Sequence, residues 1–227
     1  MLDRVDSDQI EMAGRSTRPA SLLQAMRERT KALHMTAERT GIVAELLRGR
    51  GTRGAYALLL RNLLPVYEAL EAELLRHRDT PVTGRIVRPE LHRVAAIKAD
   101  LAQLGASDRP LLPETIAYVS AIRDAGAGSG HALLAHAYTR YLGDLSGGQI
   151  IKRILARSLN LEREALSFYE FPAIADIPRF KDEYRDALEQ AGAAMAEHDI
   201  VVEEAATAFQ LNITLSQALQ AAAGLGT

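Results

Sequence analysis

The sequence predicts a single all-α domain. Apolar residues recur at helical spacing along most of its 227 residues, no β-branched run alternates for more than a few positions, and nothing marks a break between two cores. The opening residues 1–18 are polar and mixed in charge, without the apolar core of a secretion signal. They read as a mobile extension ahead of a domain over residues 19–227.

Ser21 has the chemistry of an N-cap, and a helix follows to about Thr40, with Leu22, Met26, Ala32 and Leu33 among its partly buried positions. Gly41 opens a short helix to Arg48. A basic loop over 49–54 leads into a long helix from about Ala55 to Arg78, with Pro65 as an expected kink. After a loop over 79–88, Pro89 starts a helix to about Leu104, and Pro113 starts another. Gly126, Gly128 and Gly130 precede a glycine-bearing helix from about His131 to Ser158. The stretch from Phe168 to Pro178 reads as mostly irregular. Helices over about Arg179–His198 and Asp199–Ala222 close the domain.

Composition excludes several classes of function. A net charge of −2, from 27 basic and 29 acidic residues, leaves no electrostatic footprint for nucleic acid. No apolar run is long enough to span a bilayer, so no membrane partner is expected. The complete lack of cysteine removes disulfides, thiolate metal sites and thiol catalysis, and suits a reducing cytoplasm. Histidine, carboxylates and hydroxyls must carry any chemistry.

The run from Ala137 to Gln149 is the most informative stretch, because Gly143, Gly147 and Gly148 each cost a helix about 1 kcal/mol relative to alanine. Gly143 and Gly147 share one face, so backbone there can lie against a flat ligand. Close helix packing or a glycine kink would explain the same residues. In the first helix, Arg27, Lys31, His34 and Glu38 fall within roughly 60° of one another. An imidazole, a carboxylate and two cations on one stripe could ligate a metal and grip an anion; a charge-interleaved surface with one incidental histidine fits the same spacing. The remaining histidines, with Asp182/Glu183 and Glu203/Glu204, show no metal-ligand spacing and read as packing or solvated groups.

The segment Tyr138-Thr-Arg-Tyr-Leu-Gly-Asp-Leu-Ser-Gly-Gly-Gln149 closely resembles the distal-helix signature of the haem oxygenase family. The resemblance runs from about Ser21 to about Gln220 and takes in the segments 30–38, 67–71, 168–172, 179–185 and 207–213. It implies a haem oxygenase-like bundle holding haem b, both substrate and cofactor, between the first helix and the kinked glycine helix. His34 would be the proximal iron ligand, with Glu38 as acceptor for its other ring nitrogen. Arg27, Lys31, Tyr138, Lys181 and Arg185 would meet the propionates. Many relatives carry lysine where Arg27 stands, and arginine changes the hydrogen-bond geometry while keeping the charge. Gly143, Gly147 and Gly148 would bring backbone close to the ligand, and Phe209 would line the pocket. The resemblance makes Asp144 the group that controls protons at the distal oxygen, paired with Arg140 one turn earlier and joined by Tyr67.

The activity so implied is the opening of haem by dioxygen and external electrons to biliverdin, carbon monoxide and ferrous iron. The Lys181/Arg185 match points to the IXα isomer. No flavin or nicotinamide fingerprint is present, so electrons would come from a ferredoxin or a flavodoxin/NADPH-reductase type donor, docking on the region of Arg29, Arg39, Arg48, Arg50 and Arg53. A bilin-using photoreceptor would be one consumer of the product. Two rivals stand beside this reading: a non-catalytic haem carrier or sensor of the same fold, and an all-α thiamin-pyrimidine hydrolase, which would need a nucleophilic cysteine.

Overall fold

A computed structural model describes residues 21–106 and 110–225; the extension expected over 1–18 lies outside the described residues. Eight α-helices occur among them: α1 Leu22–Arg39, α2 Gly41–Leu47, α3 Arg53–Arg76, α4 Val94–Leu104, α5 Pro113–Ala125, α6 Leu133–Ser158, α7 Ile177–Ala193 and α8 Asp199–Ala222. Short 3-10 turns lie at Thr83–Ile86, Pro89–Leu91, Arg163–Ala165 and Ser167–Tyr169. No described helix is long and apolar enough to cross a membrane.

Local chemistry sets several of these boundaries. Ser21 Oγ accepts from the Gln24 N–H at 3.1 Å, Thr52 Oγ1 from Ala55 at 3.0 Å and Asp176 Oδ1 from Arg179 at 3.0 Å, so α1, α3 and α7 each start on a side-chain cap. Pro113 occupies the first turn of α5, where its missing N–H costs nothing. Helix α3 continues through Pro65 without interruption.

Three expectations need correction. The helix expected from Pro89 is broken: Pro89–Leu91 is a 3-10 turn, His92 is extended, and α4 begins at Val94. Its first N–H groups are met by Glu71 of α3, whose Oε1 accepts from Arg93 and, at 3.1 Å, from Val94. A cap supplied from another helix leaves no local mark. Helix α7 ends at Ala193, short of His198, whose Nε2 lies 3.0 Å from the Gly192 carbonyl oxygen at the end of the helix; Gly192 itself packs against α1, where a Cβ would lie 2.7 Å from Leu22 Cβ. Ala32 is exposed, and Thr30 takes a buried place on α1 with its hydroxyl donating to the Met26 carbonyl at 2.8 Å. Those two residues lie about 200° apart around the helix, so only one can face the core.

Helix α8 is central and packs on α1, α2, α5 and α6, while α3 packs on α4, α5, α6 and α8. The core is rich in tyrosine: Tyr56, Tyr67, Tyr118, Tyr141 and Tyr184 are all fully buried. The contact of α2 with α8 is tight enough to require glycine. Gly41 has φ +74°, and a Cβ there would fall 2.3 Å from Ser216 Oγ and 2.6 Å from the Ser216 carbonyl carbon. Gly41→Ala therefore destabilises the fold by at least ~2 kcal/mol in urea unfolding, from left-handed strain plus overpacking. A loss below ~1 kcal/mol would show that this interface yields.

Candidate functional site

Helices α1 and α6 do not close on each other. Between them lies a cleft of about 1670 Å³, backed by α3 and α8, by Phe168 and Tyr169, and edged by Lys181 and Arg185 of α7. That volume exceeds the ~300–1,000 Å³ usual for small-molecule pockets and leaves room for a large ligand. The cleft brings together every site residue the sequence singled out except Tyr67, which stands buried behind the wall and joins it by hydrogen bonds.

The α1 wall is polar and open. The His34 side chain is 59% exposed, with Nδ1 3.5 Å from Glu38 Oε1 and its ring centroid 5.8 Å from that of Phe209. Since Nδ1 turns toward Glu38, Nε2 is the nitrogen left for a ligand, and it has no hydrogen-bond partner among the described residues. Arg27 and Lys31 are exposed at the same lip and form no salt bridge among the described residues.

The α6 wall is bare of side chains where it matters. A Cβ built on Gly143 or Gly147 would meet nothing within 4 Å, and neither residue has a positive φ. Neither packing nor backbone conformation requires glycine at those positions, so the glycines keep space clear on the cleft side. Gly148 lines the cleft with the other two, and its Cβ would also lie 3.0 Å from Tyr169 Cδ1, so packing asks for a small residue there as well. Tyr138 is half-buried, 6.5 Å ring to ring from Phe209. Burial raises its pKa against the opposing effects of Thr30, Arg27 and Arg185.

Behind the glycines lies a buried polar cluster. Tyr67 donates its hydroxyl proton to Asp144 Oδ2 and accepts from Arg140 Nε at 3.1 Å and Nη2 at 2.9 Å. Arg140 Nη2 lies 3.5 Å from Asp144 Oδ1, and Nη1 donates to Asn212 Oδ1 at 2.7 Å. Asp144 and Arg140 are 6% and 9% exposed. Burial raises the Asp144 carboxyl above the ordinary aspartate range, opposed by the Arg140 charge, the Tyr67 hydroxyl and the Arg93 charge. Burial likewise lifts Tyr67 well above an ordinary tyrosine and pushes Tyr118 up to about 12. For Arg140, burial acts downward and is outweighed by Tyr67, Asp144 and Tyr118, so its proton is held more tightly. The predicted Arg140–Asp144 pairing is thus present, with Tyr67 between them. Asn212 as the fourth partner was missed, because its contact with Arg140 spans 72 residues.

On α7, Lys181 Nζ reaches Ser146 Oγ at 3.3 Å and Arg185 is paired with Asp182 at 2.7 Å. Glu204, expected to be solvated, turns inward to the buried His136 at 2.7 Å, while its neighbour Glu203 holds Arg29 at 2.8 Å. Much of the basic region is internally satisfied. Arg48 and Arg50 converge on Glu45, at 2.9 and 2.7 Å, and Arg53 donates to the carbonyls of Leu159 and Asn160.

The "Heme oxygenase" family model matches residues 20–218. The chain belongs to the haem oxygenase family. It is 40% identical over 209 residues to heme oxygenase 1 of Homo sapiens, covering 89% of this chain and 73% of the relative. To heme oxygenase 1 of Nostoc sp. it is 38% identical over 206 residues, covering 88% and 87%. The fold superposes on heme oxygenase-1 from Synechocystis, solved in complex with heme, with a TM-score of 0.81 at 34% identity, covering 89% of this chain and 94% of that one. The enzyme from Leptospira interrogans superposes with a TM-score of 0.82 at 37% identity, covering 87% and 99%. The residues present in this haem oxygenase fit such a group: an imidazole nitrogen faces the cleft from one wall, backbone without Cβ from the other, and cations stand at the rim.

Two predictions follow from this geometry. Gly143→Ala raises the stability of the haem-free protein by about 0.5–1 kcal/mol, the helix-propensity gain of an alanine with nothing to strike. Gly148→Ala, which presses on Tyr169, lacks that gain; equal Tm shifts for the two would contradict the distinction. The folded chain also holds the Asp144 proton more tightly than the unfolded chain. The stability this position contributes therefore falls as pH rises from the ordinary aspartate value through the raised folded value. Asp144→Asn should gain on the wild type in urea unfolding as pH rises above the ordinary aspartate value, and a constant difference would refute the burial penalty.

Proposed function

We propose that this haem oxygenase opens haem b oxidatively, with His34 as the residue that would hold the iron from α1 and the Asp144–Tyr67–Arg140 cluster as the proton-holding group on the α6 side. The observation that carries this is the pair of walls: an imidazole nitrogen without a hydrogen-bond partner among the described residues on one, and on the other a glycine surface that neither packing nor φ explains, with a buried carboxylate behind it. When bound, haem supplies the iron at which dioxygen is activated and the porphyrin that is oxidised.

The chain's own residues bind, orient and move protons. Glu38 holds the His34 ring by its Nδ1 side, so that Nε2 faces the ligand. Arg27, Lys31, Lys181 and Arg185, with the Tyr138 hydroxyl, form a cationic rim that would hold the two carboxylates of the ligand and orient it. Their placement would decide which porphyrin edge meets the glycines, and the match of Lys181 and Arg185 to the family favours the α edge and biliverdin IXα. Gly143 and Gly147 leave clearance at that edge. Asp144 Oδ1, turned toward Arg140, and Oδ2, on the Tyr67 hydroxyl, belong to a carboxyl whose affinity for a proton is raised by burial, which suits it to hold and deliver one through water at the cleft surface. Phe209, against both His34 and Tyr138, closes the α8 side.

Electrons come from a ferredoxin or a flavodoxin/NADPH-reductase type donor. Its docking face is the side of Arg39, Arg48 and Arg50, where Glu45 offsets only part of the positive charge. The cysteine-free chain suits the cytoplasm, where a bilin-using photoreceptor would be one destination for the product.

The test is a visible spectrum of the purified protein with one equivalent of haem, followed in air after adding ascorbate or a ferredoxin–reductase system. The Soret band should form, then decay as the red absorption of biliverdin grows, with isomer analysis giving IXα. His34→Ala should abolish turnover, and Asp144→Ala should slow it by about 10²–10⁴-fold, the usual worth of a positioned proton donor. A Soret band that persists under reductant and air would instead assign the chain as a haem carrier or sensor.

A further inference from the structure

Helix α7 carries three cations, Arg179, Lys181 and Arg185, and a carboxylate answers only two of them. Arg179 is paired with Glu183 at 2.8 Å and Arg185 with Asp182 at 2.7 Å, while Lys181 forms no salt bridge among the described residues. Its side-chain partner is a hydroxyl on the other side of the cleft mouth. Lys181 Nζ donates to Ser146 Oγ of α6 at 3.3 Å, and both residues line the cleft. Lys181 is half-buried, so its apolar stem lies along the protein and its ammonium is held beside the hydroxyl.

This contact follows from the way α6 and α7 pack. The fully buried rings of Tyr141 and Tyr184 meet edge to face with centroids 6.4 Å apart. From that contact, Ser146 lies forward along α6 and Lys181 lies back along α7, as expected of antiparallel helices. The rise is about 7.5 Å on α6 and about 4.5 Å on α7, a difference that a lysine stem spans. Ser146 also keeps a proton to give. The hydroxyls of Thr30, Thr36 and Thr207 donate to carbonyls one turn earlier in their own helices, at 2.8, 3.1 and 3.3 Å. Ser146 makes no such bond among the described residues: its oxygen accepts from Lys181, and its O–H has no acceptor there. Gly143, one turn earlier, and Gly147, next in sequence, leave the space beside it clear.

We propose that Ser146 is a ligand-binding residue: its O–H and the Lys181 ammonium together form a two-donor subsite for one carboxylate of the ligand, at the α6–α7 edge of the cleft. The assignment rests on the reading of this cleft as a haem site with carboxylates at its rim. A lone lysine is a point charge on a flexible stem and selects for charge alone. A hydroxyl fixed on a helix beside it adds direction and offers each oxygen of a carboxylate its own donor. The ammonium has three donors and Ser146 takes one, so two remain for the ligand. Arg27 and Lys31 stand at the opposite lip on α1, so two anionic groups on one ligand can be met from both walls.

The experiment is an equilibrium titration of the haem-free full chain with ferric haem, followed at the Soret band, beside the same titration with haem dimethyl ester, whose carboxylates are blocked. No reductant is present, so binding is read without turnover. Ser146→Ala should weaken haem binding by about 3–10-fold, the usual effect of one solvent-exposed hydrogen bond, and leave ester binding unchanged. Ser146→Thr, which keeps the hydroxyl, should restore wild-type affinity. Alanine raises helix propensity at this exposed position, so weaker binding is not a loss of fold. Unchanged haem affinity in Ser146→Ala, or an equal loss for haem and ester, would overturn the proposal. The reading beneath it fails by a different sign: a wild-type chain that binds haem and ester equally well has no carboxylate-holding rim, and the subsite falls with it.

Discussion

The structure is organised around a carboxylate buried where a helical bundle would normally place an apolar residue. Removing an ion from water costs several kcal/mol even after relaxation, and the cost is met only when its lone pairs and charge are fully answered. Asp144 is answered by the Tyr67 hydroxyl and the Arg140 guanidinium, and Arg140 in turn by Asn212. Those partners come from α3, α6 and α8. The three helices must therefore hold one mutual geometry, and the tyrosine-rich core that packs them serves the cluster as much as general stability. Breaking the pair from one side would leave a buried charge unpaired, which is costlier than the pair itself is stabilising.

The same helix bears the opposite economy on its other face. Gly143 and Gly147 forgo helix propensity for no packing return, while Gly41, Gly148 and Gly192 are each needed for a close approach. Among the described glycines, Gly41 and Gly192 let the fold close, Gly143 and Gly147 leave the cleft open, and others such as Gly105 serve left-handed turns. Local stability has been given up only along the cleft, which is where a requirement other than folding operates.

How much of this was legible in the sequence follows from the range of each interaction. Ser21 and Pro113 announce helix starts because a cap or a missing N–H acts within one turn. The stripe from Arg27 to Glu38 and the Arg140–Asp144 spacing are likewise helical arithmetic, and the structure places them on one wall each. The start of α4 was misread because Glu71 caps it from 22 and 23 residues away. Asn212 reaches Arg140 across 72 residues, and Arg93 reaches the turn at Phe168 and Glu170 across 75 and 77. The glycines show the limit most clearly: spacing set Gly143 and Gly147 on one face, yet only the position of Tyr169 reveals that Gly148 also meets a packing neighbour.

The two walls also divide their electrostatics by solvent. On α1, His34 and Glu38 are more than half exposed, so water and salt screen the contact, and its 3.5 Å separation serves to orient the ring. On α6 the charges are almost wholly enclosed, and there each neighbouring dipole and ion acts with little attenuation. A ligating nitrogen needs orientation, which an exposed carboxylate one turn away supplies. A proton-holding carboxyl needs a tuned affinity, which only a buried and highly connected one can have. The asymmetry fits the roles proposed for the two walls: the partners of the α6 carboxyl are recruited from across the chain, while Arg27, Lys31, His34 and Glu38 lie within about three turns of one helix.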